Sequence, residues 1–475
     1  MNLSRRDALA ALAGVGALGL TGCSRLADGA RQANRGALTP PKTEDDPVRR
    51  ALDKFTFGPR PGEAAALREQ DLDAWFEAQL TPTDEPASLD MMLRRMEIHQ
   101  FSPYDLRDLP LETVLAQIQQ AGLLRAIESS NQVNERLVDF WNNHFNIFGR
   151  KGMAAYRIPL NERQVVRAHA QGQFPRMVEA SAKSAAMLVF LDQQNSNPRQ
   201  PNENYARELM ELHTLGVDGG YTQKDVMEVA RCFTGWTEER GFLQAKGSFK
   251  FEPTLHDGGA KVVLGEQIPA GGGVTDGERV VALVATHPAT ARHISRKLCR
   301  FFLGEMGVAR LAPEVEKTFA ETQGDIKAMM RTLWQGYRRH DDWAPTLKRP
   351  LDFIASSLRA LDADTDGALP LQRHLLAMGQ PLHQWPMPDG YPDATASWTG
   401  SLLARWNFAA DLAANRIGGT RIDLPGLVKR GMPNHAPGLV THRPDLPPAL
   451  AESLAGLDLR DQVGLLLAAP EFQWR

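Results

Sequence analysis

The chain has 475 residues, of which 43% are hydrophobic and 23% are charged, a composition typical of a globular protein with a large core. The net charge of −3 argues against a nucleic-acid-binding protein, because such proteins usually carry a basic excess. No apolar run of about twenty residues follows the N-terminal segment, so the rest of the chain is not expected to span a membrane.

The first 45 residues have the layout of an export signal followed by a tether. A twin-arginine pair, Arg5-Arg6, precedes a mildly hydrophobic stretch, and the sequence LTGC that follows resembles the bacterial lipobox. We predict a twin-arginine signal peptide over residues 1–22, lipidation of Cys23 and a flexible tether over residues 23–45. The predicted location is the periplasm or outer envelope, with membrane attachment through the lipid on Cys23. A signal that is cleaved without lipidation is the alternative.

The twin-arginine route carries folded proteins, often with a metal or cofactor already bound, so structural disulfides are not expected. Cys232 and Cys299 lie in apolar helical patterns, which predicts buried and unreactive thiols. The chain contains no CxxC sequence and therefore no zinc-ribbon or thioredoxin-like pattern.

Residues 46–475 are predicted to form one large, mainly α domain of many helices. Asp46 has the residue type of an N-cap, and Pro47 suits the first helical position. Helical patterns cover residues 47–57, 71–80, 88–100, 110–128, 131–148, 160–171, 174–186, 275–286, 288–303, 313–322, 325–335, 349–361, 370–378, 401–414 and 460–468. A small β-hairpin excursion is predicted near residues 241–265, with strands over Phe242–Thr254 and Lys261–Gly265.

The stretch from Pro201 to Trp236 holds the densest group of chemically capable side chains. The pattern predicts two helices joined by a glycine turn. Asn202, or Pro201 just before it, begins the first helix, and Gly216 ends it. Thr222 caps the second helix within a capping box.

At 100° per residue, the first of these helices has two distinct faces. One face is a core stripe, formed by Tyr205, Leu209 and Leu212. The other carries two carboxylates, an amide and a guanidinium, from Glu208, Glu211, Asn204 and Arg207. One hypothesis is that this second face is the wall of a functional site. The alternative is a solvated face with Glu203–Arg207–Glu211 pairs, each worth only about 0.2–0.5 kcal/mol.

Two further histidines are candidates for the same site. His144 lies on an apolar helical stripe, so it is predicted to be either a buried core histidine or a ligand and proton carrier. His256 and Asp257 lie in a glycine-flanked loop, where functional groups are common. The alternative for this loop is a turn closed by Asp257, with His256 exposed.

Several sequence blocks occur in a fixed order: FGPRPGE, WNNHF, NENYARELMELHTLGVDGGYT, VARCFTGWT, HDGGAKVVLG, HPATARHISRKL, KRPLDF and APEFQWR. Together they resemble the large bacterial family known as domain of unknown function 1800, over roughly residues 46–475. The resemblance implies an exported protein, often encoded beside a second exported protein that would be its partner. It implies no established reaction. The motif positions of the family fall on His144, Asn204, Arg207, Glu208, Glu211, Trp236, His256 and Asp257, which favours a shared site.

One position departs from the pattern of that family. Its late loop usually carries a Gly-Trp pair, whereas this chain has Gly390-Tyr391, with Trp398 further downstream. Tyr391 could supply the missing ring, and the role of the loop stays open.

Two hypotheses of function follow. The first is a metal-assisted hydrolase acting on a glycan, peptide or phosphoester. The metal, zinc or iron, would be bound by His144, His256 and Asp257. Catalytic groups would come from the helix face formed by Glu208, Glu211, Arg207 and Asn204. The second is a non-catalytic envelope assembly or binding factor, with the loop at residues 380–400 as its binding surface. The absence of HExxH, GxSxG and GxxxxGK[ST] sequences after the signal segment leaves the familiar hydrolase and kinase routes without support.

Overall fold

The structure, a computed structural model, describes residues 40, 46–239, 247–430, 440 and 446–475 and is mainly α-helical. The predicted signal peptide, Cys23 and, apart from residue 40, the tether lie outside the described residues. Among the described helices, none combines the length and the apolar composition needed to cross a membrane.

The helices before the first strand are, in chain order, α1 Pro47–Phe55, α2 Glu63–Arg68, α3 Leu72–Gln79, α4 Ala87–Arg94, α5 Glu97–Gln100, α6 Leu111–Glu128, α7 Gln132–His144, α8 Ile158–Asn161, α9 Arg167–His169, α10 Phe174–Ala182, α11 Ala185–Phe190, α12 Glu203–Glu208 and α13 Gln223–Cys232. This part of the chain also has π-helices at Glu162–Val166, between α8 and α9, and at Leu209–Thr214, directly after α12.

The later helices are α14 Val274–Ala285, α15 Pro288–Thr322, α16 Ile326–Arg338, α17 Pro350–Ala360, α18 Leu369–Ala377, α19 Leu402–Ala413, α20 Leu424–Lys429, α21 Pro448–Leu454, α22 Leu459–Ala468 and α23 Pro470–Gln473. The sequence predicted two separate helices over residues 288–303 and 313–322. In the structure α15 is interrupted at Gly304, where φ is 68° and ψ is −162°, so the predicted break after residue 303 is confirmed. The predicted start at residue 313 is wrong, because the helix after Gly304 already includes the residues before Pro313.

Helix starts follow the local capping chemistry that the sequence shows. The Asp46 side chain accepts a hydrogen bond of 3.0 Å from the Val48 amide at the start of α1. At the start of α13, Thr222 and Asp225 form the predicted capping box, because each side chain bonds the backbone amide of the other.

The β structure differs from the predicted single hairpin near residues 241–265. Strand β1, Trp236–Glu238, pairs antiparallel with β2, Phe249–Phe251. Strand β3, Lys261–Val263, pairs with β4, Glu266–Ile268. The two predicted strands therefore belong to two separate hairpins. A two-residue turn causes this, because Leu264 and Gly265 both have positive φ, of 50° and 84°, and return the chain directly onto β3.

A third pair of short strands, β5 Asp364–Thr365 and β6 Thr420–Arg421, joins distant parts of the C-terminal half. The part of the Phe242–Thr254 prediction that covers residues 242–246 lies outside the described residues.

Two large clusters of buried apolar side chains form the core. The first is built from residues between Val48 and Trp343, and the second mainly from residues between Leu351 and Phe472. Helix α6 contributes to both, with Leu124 in the first cluster and Leu123 in the second. The two halves of the chain therefore share one helix at the boundary of their cores.

A buried ion network also joins helix α7 to the start of α17. Arg136 on α7 pairs with Asp352, and Arg349 pairs with Asp139 on α7. The Arg136 guanidinium lies 4.5 Å from the centroid of the Phe301 ring on α15. Because each charge has an opposite partner, the network can be buried, and it fixes α7 against the helices that carry the site described next.

Candidate functional site

The centre of the candidate site is the change from α-helix to π-helix after Glu208. Asn202 starts α12 by accepting a 3.0 Å hydrogen bond from the Tyr205 amide. The Thr214 hydroxyl donates a 2.7 Å bond to the carbonyl of Leu209, five residues earlier. Such π-helical insertions are rare and are often found at functional sites.

The π-helix changes which side chains enter the core. Tyr205 and Leu209 are buried, as the helical periodicity predicts. Leu212, the third member of the predicted stripe, is only partly buried, whereas His213 is buried in its place. The prediction for Leu212 is therefore wrong, because it assumed 100° per residue through a segment that turns less per residue.

Glu208 is a half-buried carboxyl group among like charges. Burial raises its pKa above the ordinary value, and the neighbouring carboxylates of Glu211 and Asp389 raise it further. The Arg207 guanidinium acts in the opposite direction. Glu208 therefore retains its proton to a higher pH than an exposed glutamate does.

Glu211, one turn further on, is held by a tyrosine. The Tyr221 hydroxyl donates a 2.9 Å hydrogen bond to Oε2 of Glu211. Burial and this bond raise the pKa of Tyr221 to about 12, so the hydroxyl keeps its proton. The two neighbouring carboxyl groups thus differ in environment, because Glu208 lies among like charges and Glu211 accepts a hydrogen bond from Tyr221.

The outer part of the predicted face connects α12 to α13. Arg207 donates a 2.6 Å bond to Oε1 of Gln223, whose amide donates a 2.7 Å bond to Glu203. Asn204 is exposed to solvent. The structure therefore places Glu208 and Glu211 together at the inner side of the face, and Arg207 and Asn204 towards the outside.

His144 is buried and is bonded at both ring nitrogens. Its Nε2 lies 3.1 Å from the carbonyl oxygen of His213, so Nε2 carries the proton and donates. Its Nδ1 therefore accepts the 2.9 Å bond from Nζ of Lys297. Burial, and then the Lys297 charge, lower the pKa of His144 well below its usual range. The imidazole is neutral in this arrangement.

Lys297 stands among three imidazoles. The ring centroid of His144 is 6.1 Å from that of His213 and 6.4 Å from that of His293. Burial and the Lys297 charge lower the pKa of His213 to about 3 and that of His293 to about 4. Burial also lowers the pKa of Lys297, while Asp393 and Asp389 oppose this shift. Sequence periodicity missed Lys297, although the block HPATARHISRKL contains it.

The late loop brings these aspartates to the site, and two asparagines of the WNNHFN block hold it. The Asn143 side chain donates a 2.9 Å hydrogen bond to the Tyr391 carbonyl and accepts a 2.7 Å hydrogen bond from the Tyr391 amide. Asn146 donates to the carbonyls of Trp385 and Met387, at 3.0 and 2.7 Å. The spacing of the two asparagines by three residues was the signal in the sequence that could have revealed this contact.

Gly390 is required where the loop meets α7. Its φ is 77°, and a Cβ atom there would lie 2.2 Å from the carbonyl oxygen of Asn143. Tyr391 is buried, and its ring lies 5.1 Å from that of Trp385 and 6.1 Å from that of Trp398. Tyr391 therefore fills an aromatic cluster in this loop.

The comparison with known protein families decides the identity of the chain. Residues 50–474 match the family described as Protein of unknown function (DUF1800). The chain belongs to the DUF1800 family. Comparisons with curated proteins and with solved structures find no match. The predicted resemblance to this family is confirmed.

Two of the predicted site residues, His256 and Asp257, have partners other than His144. His256 Nδ1 lies 2.8 Å from the Thr234 carbonyl, and its Nε2 lies 3.3 Å from Oδ2 of Asp276. Asp257 is paired with Arg231, with atoms 2.8 and 3.2 Å apart. The His256 side chain is only 5% exposed, so the alternative prediction of an exposed His256 is wrong.

The predicted metal set of His144, His256 and Asp257 is therefore not assembled. Within the described ranges, no group of three or more His, Cys, Asp or Glu side chains is placed to hold a metal ion. The Lys297 ammonium beside His144 would repel a cation, and Arg231 already neutralises Asp257. These donors do not fit zinc or iron.

The cysteines of this DUF1800 chain behave as predicted where the structure describes them. Cys232 and Cys299 are both free and buried. Burial raises the pKa of each thiol to about 12, so neither forms a reactive thiolate near neutral pH.

Proposed function

We propose that this DUF1800 protein is an envelope hydrolase that cleaves glycosidic bonds, with Glu208 as general acid and Glu211 as general base. The observation that carries the proposal is the placement of two carboxyl groups three residues apart where the α-helix becomes a π-helix, with Glu208 half-buried and Glu211 bonded by Tyr221. Burial and the Glu211 charge also raise the pKa of Glu208. Paired carboxyl groups in different environments are the usual acid and base of glycoside hydrolysis.

In the proposed reaction, Glu208 gives its proton to the bridging oxygen as the bond from that oxygen to the sugar carbon breaks. Glu211 removes a proton from the attacking water, whose oxygen forms the new bond to the same carbon. One water is consumed, and the proton on Glu211 is then exchanged with solvent while Glu208 is reprotonated. The hydrogen bond from Tyr221 orients Glu211 for this role.

The charge of the site favours a glycan over a phosphoester. The carboxylates of Glu211 and Asp389 lie near Glu208. Asp393, on the same loop as Asp389, lies near Lys297. This excess of carboxyl groups repels an anionic phosphoester. A protonated carboxyl also suits the glycosidic oxygen, which needs a proton to leave.

The location and partners of the protein are part of the proposal. The twin-arginine pair and the LTGC sequence support export and attachment to a membrane through a lipid on Cys23. We expect Cys23→Ala to move the protein from the membrane fraction to the soluble envelope fraction. A partner encoded as a second exported protein belongs to the same proposal, since the family resemblance implies one.

The test uses the chain without its signal segment, incubated with envelope glycans and oligosaccharides, and measures newly formed reducing ends. We expect E208Q and E211Q to lower the rate about 100-fold or more. The matched control is E203Q, because Glu203 is an exposed carboxylate on the same helix. A wild-type protein that releases no reducing ends from any glycan, or an E208Q variant as active as E203Q, would contradict the proposal.

A second candidate function is a non-catalytic binding factor, and one feature of the late loop favours it. Met387 is 56% exposed on a loop that two asparagines hold in place. Among the large apolar side chains that the structure describes in the loop at residues 380–400, Met387 is the exposed one, so a partner that binds this loop would contact it. If this candidate is correct, M387E will abolish co-purification of an envelope partner, and E208Q will leave it unchanged.

A further inference from the structure

A small cavity of about 60 Å³ lies where α6, α7, the π-helix Glu162–Val166 and the late loop, residues 380–400, meet. The apolar part of its lining includes Ile118, Val138 and Leu382, and none of the lining residues is exposed. A water molecule takes up about 30 Å³ in the liquid, so the cavity has room for about two waters. Its content depends on the polar atoms of the lining, because apolar cavities stay dry and polar cavities bind water.

The imidazole of His383 is a polar group of this lining and has no hydrogen-bond partner among the described residues. Burial lowers the pKa of His383, although the charges of Glu162 and Asp139 oppose this shift, so the ring is neutral near pH 7. A neutral imidazole has one nitrogen that donates and one that accepts. The ring therefore needs both a donor and an acceptor from another molecule.

The backbone holds His383 at this place. Its φ is 56°, in the left-handed region that residues other than glycine rarely adopt. Its carbonyl accepts a 2.8 Å hydrogen bond from the Gly149 amide in the turn after α7. Such conformations persist where the surrounding contacts hold them, and they are common at binding sites. The ring is thus kept at the cavity by contacts that do not use its nitrogens.

Two carboxylates and an amide of the lining also have free hydrogen-bonding capacity. Oε1 of Glu162 accepts a 2.8 Å hydrogen bond from Arg167, whereas its Oε2 accepts none from the described residues. Asp139 binds Arg349 through Oδ2, and no described residue donates to its Oδ1. The Asn142 side chain makes no hydrogen bond to the part of the chain that the structure describes. The lining therefore suits a molecule that can both donate and accept.

The ligand is expected to be neutral, since the charged groups of the lining already have opposite partners. Arg167 donates 2.7 and 2.9 Å hydrogen bonds to the two carboxylate oxygens of Glu135, in addition to its bond to Glu162. Glu162 also lies 3.6 Å from Arg125, and Asp139 is paired as described above. A bound ion would have to compete with these pairs. Water is neutral, fits the cavity, and both donates and accepts.

We propose that this cavity is a binding site for about two water molecules, which bridge His383 to α7 and to the π-helix. The waters donate to Glu162 and Asp139 and exchange hydrogen bonds with His383 and Asn142. The late loop is thereby attached to the helices through water as well as through direct bonds. The site does not depend on the proposed hydrolysis, because both proposed catalytic glutamates lie outside its lining.

The direct test is a crystal structure of the protein without its signal segment, at a resolution that shows ordered water. We expect about two waters in the cavity, at least one of them within hydrogen-bond distance of the His383 ring. In solution, ¹⁷O magnetic relaxation dispersion counts internal waters that exchange slowly. H383F should have fewer such waters than the wild type, because phenylalanine offers neither a donor nor an acceptor. H383Q, which keeps both, should retain the wild-type number.

The matched control is H374F, because His374 is also partly buried, lies 3.9 Å from Asp411 and does not line the cavity. H374F should keep the wild-type number of slowly exchanging waters. The proposal is overturned if the crystal structure shows no water in the cavity, if it shows an ion or an organic molecule there, or if H383F retains as many waters as H374F. Should H383F fail to fold, N142L takes its place in this comparison and is judged in the same way.

Discussion

Two regions of the molecule combine histidines with carboxylates, and the structure uses them in opposite ways. Around His256, the side chains of Asp276 and Lys261 are fully buried and form a 2.7 Å ion pair. Around Glu208, carboxyl groups of like charge stand together at a half-exposed surface. A buried pair of opposite charges is lost from the core only at a large cost in stability, because removal of one partner leaves the other charge uncompensated. Like charges that lie close together lower the stability of the fold, and a bound proton or ligand can relieve this repulsion.

The largest effect is expected from breaking the matched region. D276A leaves the Lys261 ammonium buried without its partner and should lower the free energy of unfolding by about 3–5 kcal/mol. D257N is the matched control, because the Asp257–Arg231 pair is partly exposed and should cost less than about 1 kcal/mol. Chemical denaturation of both variants measures the difference. An equal loss of unfolding free energy in both variants would mean that the buried pair contributes no more to stability than the partly exposed pair.

The attachment of the late loop to the Glu208 region should show the next largest effect. G390A adds a Cβ atom 2.2 Å from the Asn143 carbonyl and should cost about 1–3 kcal/mol more than G379A. Gly379 also has a positive φ, of 91°, but a Cβ atom there would meet nothing within 4 Å. Thermal denaturation compares the two. If both variants melt at the same temperature, the collision does not exist and the loop is not held at this point.

Replacing the Lys297 ammonium should change the titration of the surrounding imidazoles. K297M removes a cation that lowers the pKa of His213 and of His293, so both pKa values should rise from about 3 and about 4. NMR titration with ¹⁵N-labelled histidine measures these values. R296M, at the exposed neighbouring position, is the control and should leave them unchanged. If the pKa values of His213 and His293 are unchanged in K297M, the Lys297 charge does not act on these imidazoles.

The smallest expected effect is the pH dependence of stability that Glu208 causes. It tests directly whether the like charges around Glu208 carry a cost. The folded-state pKa of Glu208 is raised above 4.5. Ionised Glu208 therefore lowers the free energy of unfolding only above that pH, and this loss grows as the pH rises through the folded-state pKa. E208Q should therefore melt above the wild type at pH 7 and together with it at pH 4. The gain should be at most about 1 kcal/mol, because Glu208 is half exposed. E203Q should show no gain at either pH.

Helix starts and fold class could be predicted because they depend on residues three or four positions apart. Asp46 and Thr222 cap their helices through bonds to amides within the next three residues. The mainly α fold follows from such local patterns. The turn at Leu264-Gly265 is also local, but two positive φ angles, one of them at a leucine, are not visible in strand periodicity.

The site itself depended on contacts that no local pattern contains. Lys297 meets His144 across 153 residues, and Asn143 meets Tyr391 across 248. For the same reason, the structure does not bring the three residues of the predicted metal set together. His144 and His256 were grouped by chemical type, whereas partners far away in the chain had already taken their ring nitrogens.

The π-helix at Leu209–Thr214 has a consequence for how the family can change. A π-helix arises when one extra residue is accommodated in an α-helix without shifting the helices on either side. Loss of a single codon in this segment would restore an ordinary helix between Asn202 and Gly216 and leave both ends in place. Glu211 and His213 would then rotate to new directions while the fold persisted. A relative shorter by one residue here would keep the architecture and lose the arrangement of the site.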